Sequence, residues 1–407
     1  MESPKLIASL MRVVRDLGIA EDLAQDALVA ALEQWPGSGV PDNPGAWLMA
    51  TAKHRAIDFF RRNQLLLRKH EELGREVETR QMAMPDFNAN LDDNIGDDLL
   101  GLIFISCHPV LSTDARTALT LRLLGGLKTD EIARAFLLPE PTIAQRIVRA
   151  KRTLSDSHAP FEVPRGAELV ARLSSVLEVI YLIFNEGYSA TAGGDWMRPA
   201  LCEEAIRLGR VLAELTPREP EVHGLVALME IQASRAKARV GPTGEPILLF
   251  DQDRSRWDQL LIHRGLTALD RAEKLNPRRG PYTIQAAIAG CHARAHTPEE
   301  TDWGRIVSLY DALAELSPSP VVQLNRAVAV AMASGPAAGF ELTEKLTAES
   351  SLKNYHLLPS VRGDLLTKLG RLAEARAEFE RAATLTQNVR ERELLLARAE
   401  KLTSSID

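Results

Sequence analysis

Residues 146–152 hold four cations and no acid: Arg146, Arg149, Lys151 and Arg152. Thr142 and Gln145 stand just before them. A helix that enters the DNA major groove needs this layout. Short polar or amide side chains near its start reach base edges, and Arg or Lys further along reach phosphates. An ordinary helical hairpin with a solvated basic face would carry the same residues. A second basic run, Lys53–Lys69, has six cations (Lys53, Arg55, Arg61, Arg62, Arg68, Lys69) against one acid, Asp58. It suits a phosphate-facing helix and equally a solvated one. Upstream, Glu21, Asp22 and Asp26, with Gln25 among them, form a patch of the opposite sign. An acidic patch beside a basic one points to two partners, a basic protein surface and a nucleic acid.

Other reactive residue types give weaker signals. Cys291-His292 with His296 offers a thiol and two imidazoles at helical spacing, but no fourth ligand is evident. An Ala-rich packing helix explains the same residues. Cys107-His108 are adjacent, and adjacent helical residues point apart, which speaks against a thiol–imidazole pair. Asn185-Glu186-Gly187-Tyr188 reads as a turn with a polar cluster, or as a ligand contact. No metal, cofactor or catalytic constellation is predicted, so the expected class is a binding protein rather than an enzyme.

The elements that must position these groups are helical. Thr129 is placed to cap a helix with Asp130 and Glu131 in its positive first turn. Ile132, Ala133 and Phe136 form its inner face, and Leu137-Leu138-Pro139 stop it. Leu137 stands where such turns usually place Gly at positive φ, at a cost of about 1 kcal/mol. Pro141 suits the first turn of a second helix, whose Ile143, Ile147 and Ala150 point inward. Near the N-terminus three helices are predicted. The first spans about Lys5–Leu17 and stops at Gly18. The second spans about Ala20–Gln34, with Leu23, Ala27, Leu28, Ala31, Leu32 and Trp35 as core. Residues 36–44, rich in Gly and Pro, form a loop. The third starts near Gly45, with Trp47, Leu48, Ala52, Ala56 and Phe59 on one face.

The chain has 407 residues, 45% hydrophobic and 26% charged, which suits two or three globular domains. Aromatics are only 5%, and strand signals are absent, so the expected class is all-α. The net charge of −6 excludes a polybasic coat and confines any nucleic-acid contact to local patches. Three scattered cysteines give no disulfide framework and fit a reducing compartment. Met1–Lys5 starts no signal peptide, and no window is apolar enough to span a bilayer. A cytoplasmic protein without membrane contact is expected.

Five segments follow: helices over 1–66, an acidic linker over 67–98, the helix-turn-helix unit over 99–155, a short linker over 156–165, and a helical-repeat region over 166–407. The acidic linker holds Asp86, Asp92, Asp93, Asp97 and Asp98. The third segment breaks at Pro109, Gly125-Gly126 and Pro139. In the last, four helix ends look alike: residues 213–217, 273–277, 314–318 and 383–387. The final spacing, 69 residues, is about twice the period of helical-hairpin repeats. Gly363, Gly370, Ala375, Phe379 and Ala382 fall where a tetratricopeptide repeat needs small residues and one bulky wedge. Gly241–Arg256 interrupts the pattern as a loop.

Together these residues resemble the sigma-70 superfamily, and within it the extracytoplasmic-function (ECF) sigma factors. Glu21-Asp22-Leu23-Ala24-Gln25-Asp26-Ala27 is similar to region 2.2. Asn43-Pro44-Gly45-Ala46-Trp47-Leu48 with Ala52, Arg55, Ala56, Asp58 and Arg61-Arg62 is similar to regions 2.3 to 2.4. Residues 117–154 are similar to region 4. Cys107-His108-Pro109, Leu121–Leu127 and Phe184–Ser189 resemble a subgroup with a tetratricopeptide-like extension. The first helix begins almost at Met1, where the family usually has a longer lead-in.

The resemblance implies two small helical domains for DNA and polymerase, followed by a TPR-like solenoid that modulates activity. Asp22, Gln25 and Asp26 would dock on the clamp helices of the polymerase β′ subunit, with the β subunit as a further contact. Val40, Asp42, Asn43, Lys53, Arg55, Asp58, Arg61 and Arg62 would open and read the −10 element. Thr142, Gln145, Arg146, Arg149, Lys151 and Arg152 would read the −35 element. The acidic linker would mimic nucleic acid in the polymerase channel. The subgroup often works beside small YCII/DGPF-type proteins, which are candidate partners. A stand-alone helix-turn-helix regulator with a TPR-type sensor would share the basic helices but need neither the acidic patch nor the 40–43 loop.

Overall fold

Helix-forming Ala, Leu, Glu and Arg dominate the chain, and Pro or Gly punctuates it. The computed structural model describes residues 2–72, 95–136 and 138–403. It divides into two compact units, residues 1–179 and 180–407. Asp86, Asp92 and Asp93 of the acidic linker, and Leu137 of the helix-turn-helix, lie outside the described residues.

The first unit opens with α1 (Glu2–Val14), α2 (Leu17–Ser38) and α3 (Pro44–Glu72). The break between α1 and α2 falls at Arg15-Asp16 rather than at Gly18. Arg15 takes a positive φ of 52°, and Asp16 caps α2 by accepting the Ile19 N–H at 3.0 Å. Gly18 then lies inside the first turn. The predicted loop also starts later than expected, because α2 runs through Pro36. That residue is near the end of the helix, where one missing N–H costs little. The Gly39 N–H closes the last turn on the Trp35 carbonyl at 2.9 Å, and Gly39 leaves the helix at φ 83°.

Two face assignments shift. Ala20, Leu23, Ala24, Ala27, Ala30 and Ala31 are buried on α2, whereas Leu32 is 76% exposed. On α3 the buried series is Leu48, Ala52, Ala56 and Phe60, a four-residue spacing, and Phe59 is half-buried with its ring edge-on to Phe60. The unit continues with α4 (Ile95–Ser106), α5 (Thr113–Leu123), α6 (Thr129–Phe136), α7 (Glu140–Asp156) and α8 (Gly166–Tyr188). The breaks fall at Pro109, Gly125-Gly126 and Pro139, as the sequence indicates. Gly126 supplies the positive φ, 68°, that lets the Leu127 N–H reach back to the Leu121 carbonyl at 3.1 Å.

The second unit takes the end of α8 and then ten helices: α9 (Pro199–Leu215), α10 (Pro220–Ala233), α11 (Gln259–Leu275), α12 (Pro281–Arg294), α13 (Trp303–Leu316), α14 (Pro320–Ser334), α15 (Pro336–Leu346), α16 (Leu357–Lys368), α17 (Leu372–Leu385) and α18 (Val389–Thr403). Successive helices pack on one another, the pattern of a helical-repeat solenoid. The four similar helix ends close α9, α11, α13 and α17. Three are followed by a helix with Pro in its first turn: α10, α12 and α14. Residues 241–256 hold no α-helix, only single 3-10 turns at Leu249–Asp251 and Arg254–Arg256. Among the described residues no helix is long and apolar enough to cross a membrane.

Among the described residues strand structure is two residues each in β1 (Ala192–Gly193) and β2 (Gln387–Asn388), paired in parallel, besides one isolated antiparallel bridge between Val240 and Pro246. The Asn388 side-chain amide donates to the Ala190 and Asp195 carbonyls, both at 2.9 Å, so the first loop of the unit is stapled to its last turn. The expected wedge is in place as well. Phe379 of α17 is 1% exposed, and a Cβ at Gly363 of α16 would lie 2.7 Å from its ring. Gly363→Ala is therefore expected to destabilise the protein by about 1–3 kcal/mol. Thermal denaturation checks this; an unchanged midpoint would show that the ring has room to move.

Candidate polymerase and nucleic-acid interface

Helix α6 begins one residue earlier in its capping than the sequence suggests. The backbone N–H of Lys128, not the Thr129 side chain, is tied down, donating to Glu131 Oε2 at 2.7 Å. This is half of a capping box. Ile132 and Ala133 of α6 and Ile143, Ile147, Ala150 and Leu154 of α7 are buried, and Phe136 is half-buried. The burial fixes which face of α7 looks outward. Thr142, Gln145, Arg149 and Arg152 are exposed at spacings of three and four residues, a single helical face. Arg152 pairs with Asp156 at 3.5 Å. Arg146 and Lys151 are turned toward carboxylates instead. Arg146 pairs with Asp114 at 3.1 Å, and Lys151 with Glu21.

Glu21 is the residue whose position the sequence did not reveal. It sits in α2 beside Asp22, yet it is buried at 4% exposure while Asp22, Gln25 and Asp26 are exposed. Its carboxylate accepts from Arg122 Nε at 2.9 Å and from Gln25 Nε2 at 2.9 Å, as well as pairing with Lys151. Asp16 makes a second link from α2 to α7, accepting from the Ser155 hydroxyl at 3.4 Å. The acidic helix α2 therefore meets the basic helix α7 through Glu21–Lys151 and Asp16–Ser155, and meets α5 through Glu21–Arg122. No role for Asp114 was legible in the sequence, which carried Arg122 only within the Leu121–Leu127 motif. The only signal for Arg122 was a lone cation inside the apolar run Leu119–Leu124.

The loop before α3 leaves Val40, Asp42 and Asn43 exposed, Val40 at 65%. Asn43 also caps α3, accepting the Ala46 N–H at 3.0 Å. Trp35 and Trp47 meet edge to face at 5.5 Å across the loop's base. On α3, Asp58, Arg61 and Arg62 are exposed, and Lys53 and Arg55 half-buried. Arg55 pairs with Asp26 at 3.5 Å, so the acidic and basic patches adjoin. Arg68 and Lys69 lie in a stretch of α3 whose side chains are outside the described residues.

The other sequence candidates take structural positions. Cys107 is buried against Thr120, and burial pushes its thiol up to about 11. Burial likewise pushes Cys202 up to about 12. Both thiols stay protonated at neutral pH, so neither is an activated nucleophile. Alkylation by iodoacetamide at pH 8 is expected to leave both unmodified until denaturant is added, as mass spectrometry would show. Asn185-Glu186-Gly187-Tyr188 is the last turn of α8 rather than a loop turn. Glu186 accepts from the Thr191 hydroxyl at 2.9 Å and pairs with Arg198. Gly187 lets α9 approach, since a Cβ there would lie 2.6 Å from the Cys202 backbone nitrogen. Among the described residues no group of three His, Cys, Asp or Glu could hold a metal ion.

Three family models match the chain: Sigma-70 region 2 over residues 1–65, Sigma-70 region 4 over 102–154, and a family of unknown function, DUF6596, over 172–273. An uncharacterised protein of Rhizobium meliloti (strain 1021) is 44% identical over 390 residues, covering 95% of this chain and 91% of its own. The ECF RNA polymerase sigma factor SigX of Bacillus subtilis (strain 168) is 26% identical over 140 residues, 33% of this chain and 68% of its own. The RNA polymerase sigma-H factor of Pseudomonas aeruginosa is 25% identical over 163 residues, 38% of this chain and 81% of its own.

Proposed function

The chain belongs to the sigma-70 family as an ECF-like sigma factor with a C-terminal helical extension, and we propose that it divides its work between the two exposed faces of its first unit. As a sigma factor it acts with core RNA polymerase and promoter DNA. In our reading, Asp22, Gln25 and Asp26 on α2 bind the polymerase β′ clamp helices, with the β subunit as a further contact. The 40–43 loop and the Lys53, Arg55, Asp58, Arg61 and Arg62 face of α3 engage the −10 element, and Thr142, Gln145, Arg149 and Arg152 serve the −35 element, while Arg146 and Lys151 are held off that face by Asp114 and Glu21. The observation that carries this is the outward face of α7. Its exposed polar and amide groups come first and its exposed guanidiniums follow, on a helix whose other side is held by the core.

The reading makes the protein a binding factor of the cytoplasm rather than an enzyme. The second unit modulates the first, and offers a surface for a small YCII/DGPF-type protein or another ligand. In vitro transcription with core polymerase on a genomic library tests the assignment. New promoter-dependent transcripts that need the protein, and are lost with Asp22→Lys/Asp26→Lys, support it. Duplex binding without polymerase association would favour a stand-alone helix-turn-helix regulator. Transcription that is identical with the full chain and with a chain ending at Val179 would remove the modulating role of the second unit.

A further inference from the structure

Most buried or half-buried arginines of the second unit are paired. Arg362 lies between Glu344 and Glu378, Arg398 on Asp364, Arg326 on Asp311 and Arg198 on Glu186. Three are not. Arg235 and Arg239 flank the 3-10 turn Ala236–Ala238 after α10, each 7% exposed, and Arg254 follows in the next loop. Among the described residues no carboxylate lies within 4.0 Å of any of them.

Aromatic faces take the place of acids. Arg239 stacks on Tyr188 with its guanidinium carbon 3.5 Å from the ring centre, and lies 5.6 Å from the Trp196 ring. Arg235 and Arg254 lie over Trp257 at 4.9 and 5.1 Å. Arg254 has a structural task as well: it donates to the His292 and Ala295 carbonyls at 3.0 and 2.7 Å. Arg235 donates a long bond, 3.4 Å, to the Ala289 carbonyl and also reaches the Tyr188 side chain. Among the described residues five buried donors in this cluster have no acceptor: Arg235 Nε, Arg239 Nη1, Arg254 Nε and the indole N–H groups of Trp196 and Trp257. His292 cannot supply a counter-charge, nor does it add to the cations. Burial, and then Arg235 and Arg254, push its imidazole down to about 3, so it is neutral.

Ring faces compensate a buried guanidinium only in part, and unmade hydrogen bonds add to the cost. A ligand with negative charge and several acceptor oxygens would satisfy both demands. We propose that the second unit binds a small oxyanion, a phosphate ester or a carboxylate, between Arg235 and Arg239 beside Tyr188. The planar guanidinium forks suit either group. The burial of the five unpartnered donor atoms, and of Arg235 and Arg239 as wholes, argues against a nucleic-acid backbone or a membrane surface as the occupant. This site turns the end of the Asn185–Tyr188 motif into a ligand contact, since Tyr188 is the platform for Arg239. It stands independently of the assignment of the first unit to promoter DNA.

Titration calorimetry and thermal shift on the full chain test it, with inorganic phosphate and succinate as probes and sodium chloride at matched ionic strength as reference. One of the two oxyanions is expected to raise the unfolding midpoint by several degrees beyond chloride, and which one does so identifies the chemistry. Arg239→Gln should weaken that binding by about tenfold or more, whereas Arg326→Gln, at a paired arginine, should leave it unchanged. If Arg239→Gln does not fold, Arg239→Lys decides, because it keeps the charge and loses the fork; weaker binding is again expected. No response of the wild type beyond chloride, or an undiminished response of the Arg239 variant, overturns the proposal.

Discussion

Arg149→Ala is expected to lower transcription from this factor's promoters by about tenfold to a hundredfold, the value of one good base contact, while leaving association with core polymerase unchanged. Arg149 is exposed on α7, in line with Thr142 and Gln145, and makes no ion pair among the described residues. Its removal leaves no buried charge behind, so stability should not change. Arg152 offers the contrast. It is exposed near the end of the same face and pairs with Asp156. Arg152→Ala should weaken binding to all sequences alike and reduce the salt slope by about one. Transcription assays with mutated −35 elements separate the two outcomes. Loss that is the same for every −35 sequence with Arg149→Ala would show that this side chain reads phosphate rather than base.

Glu21→Gln should loosen the contact between α2 and α7. Glu21 is nearly buried, and Arg122 and Lys151 are its two cations. Neutralising it leaves those cations side by side with no acid between them. Removing one partner of a buried pair costs about 3–5 kcal/mol, and the partial exposure of Arg122 and Lys151 reduces this to on the order of 2 kcal/mol. Two readouts follow. Energy transfer between dyes at Val29→Cys and Val148→Cys, both exposed valines, should fall as the helices part. DNA binding by the free protein should gain a phosphate contact from the released Lys151, which steepens the salt slope by about one. Unchanged transfer together with an unchanged slope would mean that Glu21 does not hold the helices.

The pattern of legible and illegible residues follows from the range of the forces involved. Pro109, Gly125-Gly126, Pro139 and the repeated helix ends read correctly, because a missing N–H or a positive φ acts within one turn. Pro36 misled for the same reason: its effect depends on position in the helix, and near the C-terminus it is tolerated. Thr142, Gln145, Arg149 and Arg152 of α7's outward face were legible from their three- and four-residue spacing, whereas Arg146 and Lys151, cations of the same run, turn to Asp114 and Glu21. Leu32 was not, since the apolar series on α2 has more candidates than its buried stripe has places.

What the sequence determined by itself, then, was the all-helical class, the two charged faces and the repeat character of the second unit. Each is a local property of spacing and residue type. Only the tertiary structure decided that Glu21 leaves the acidic face to bind Arg122, 101 residues away. It alone stapled Asn388 to Ala190, 198 residues away, and left Arg235 and Arg239 buried without an acid. Charge pairing and burial are set by which distant segments meet, and no local periodicity encodes that meeting.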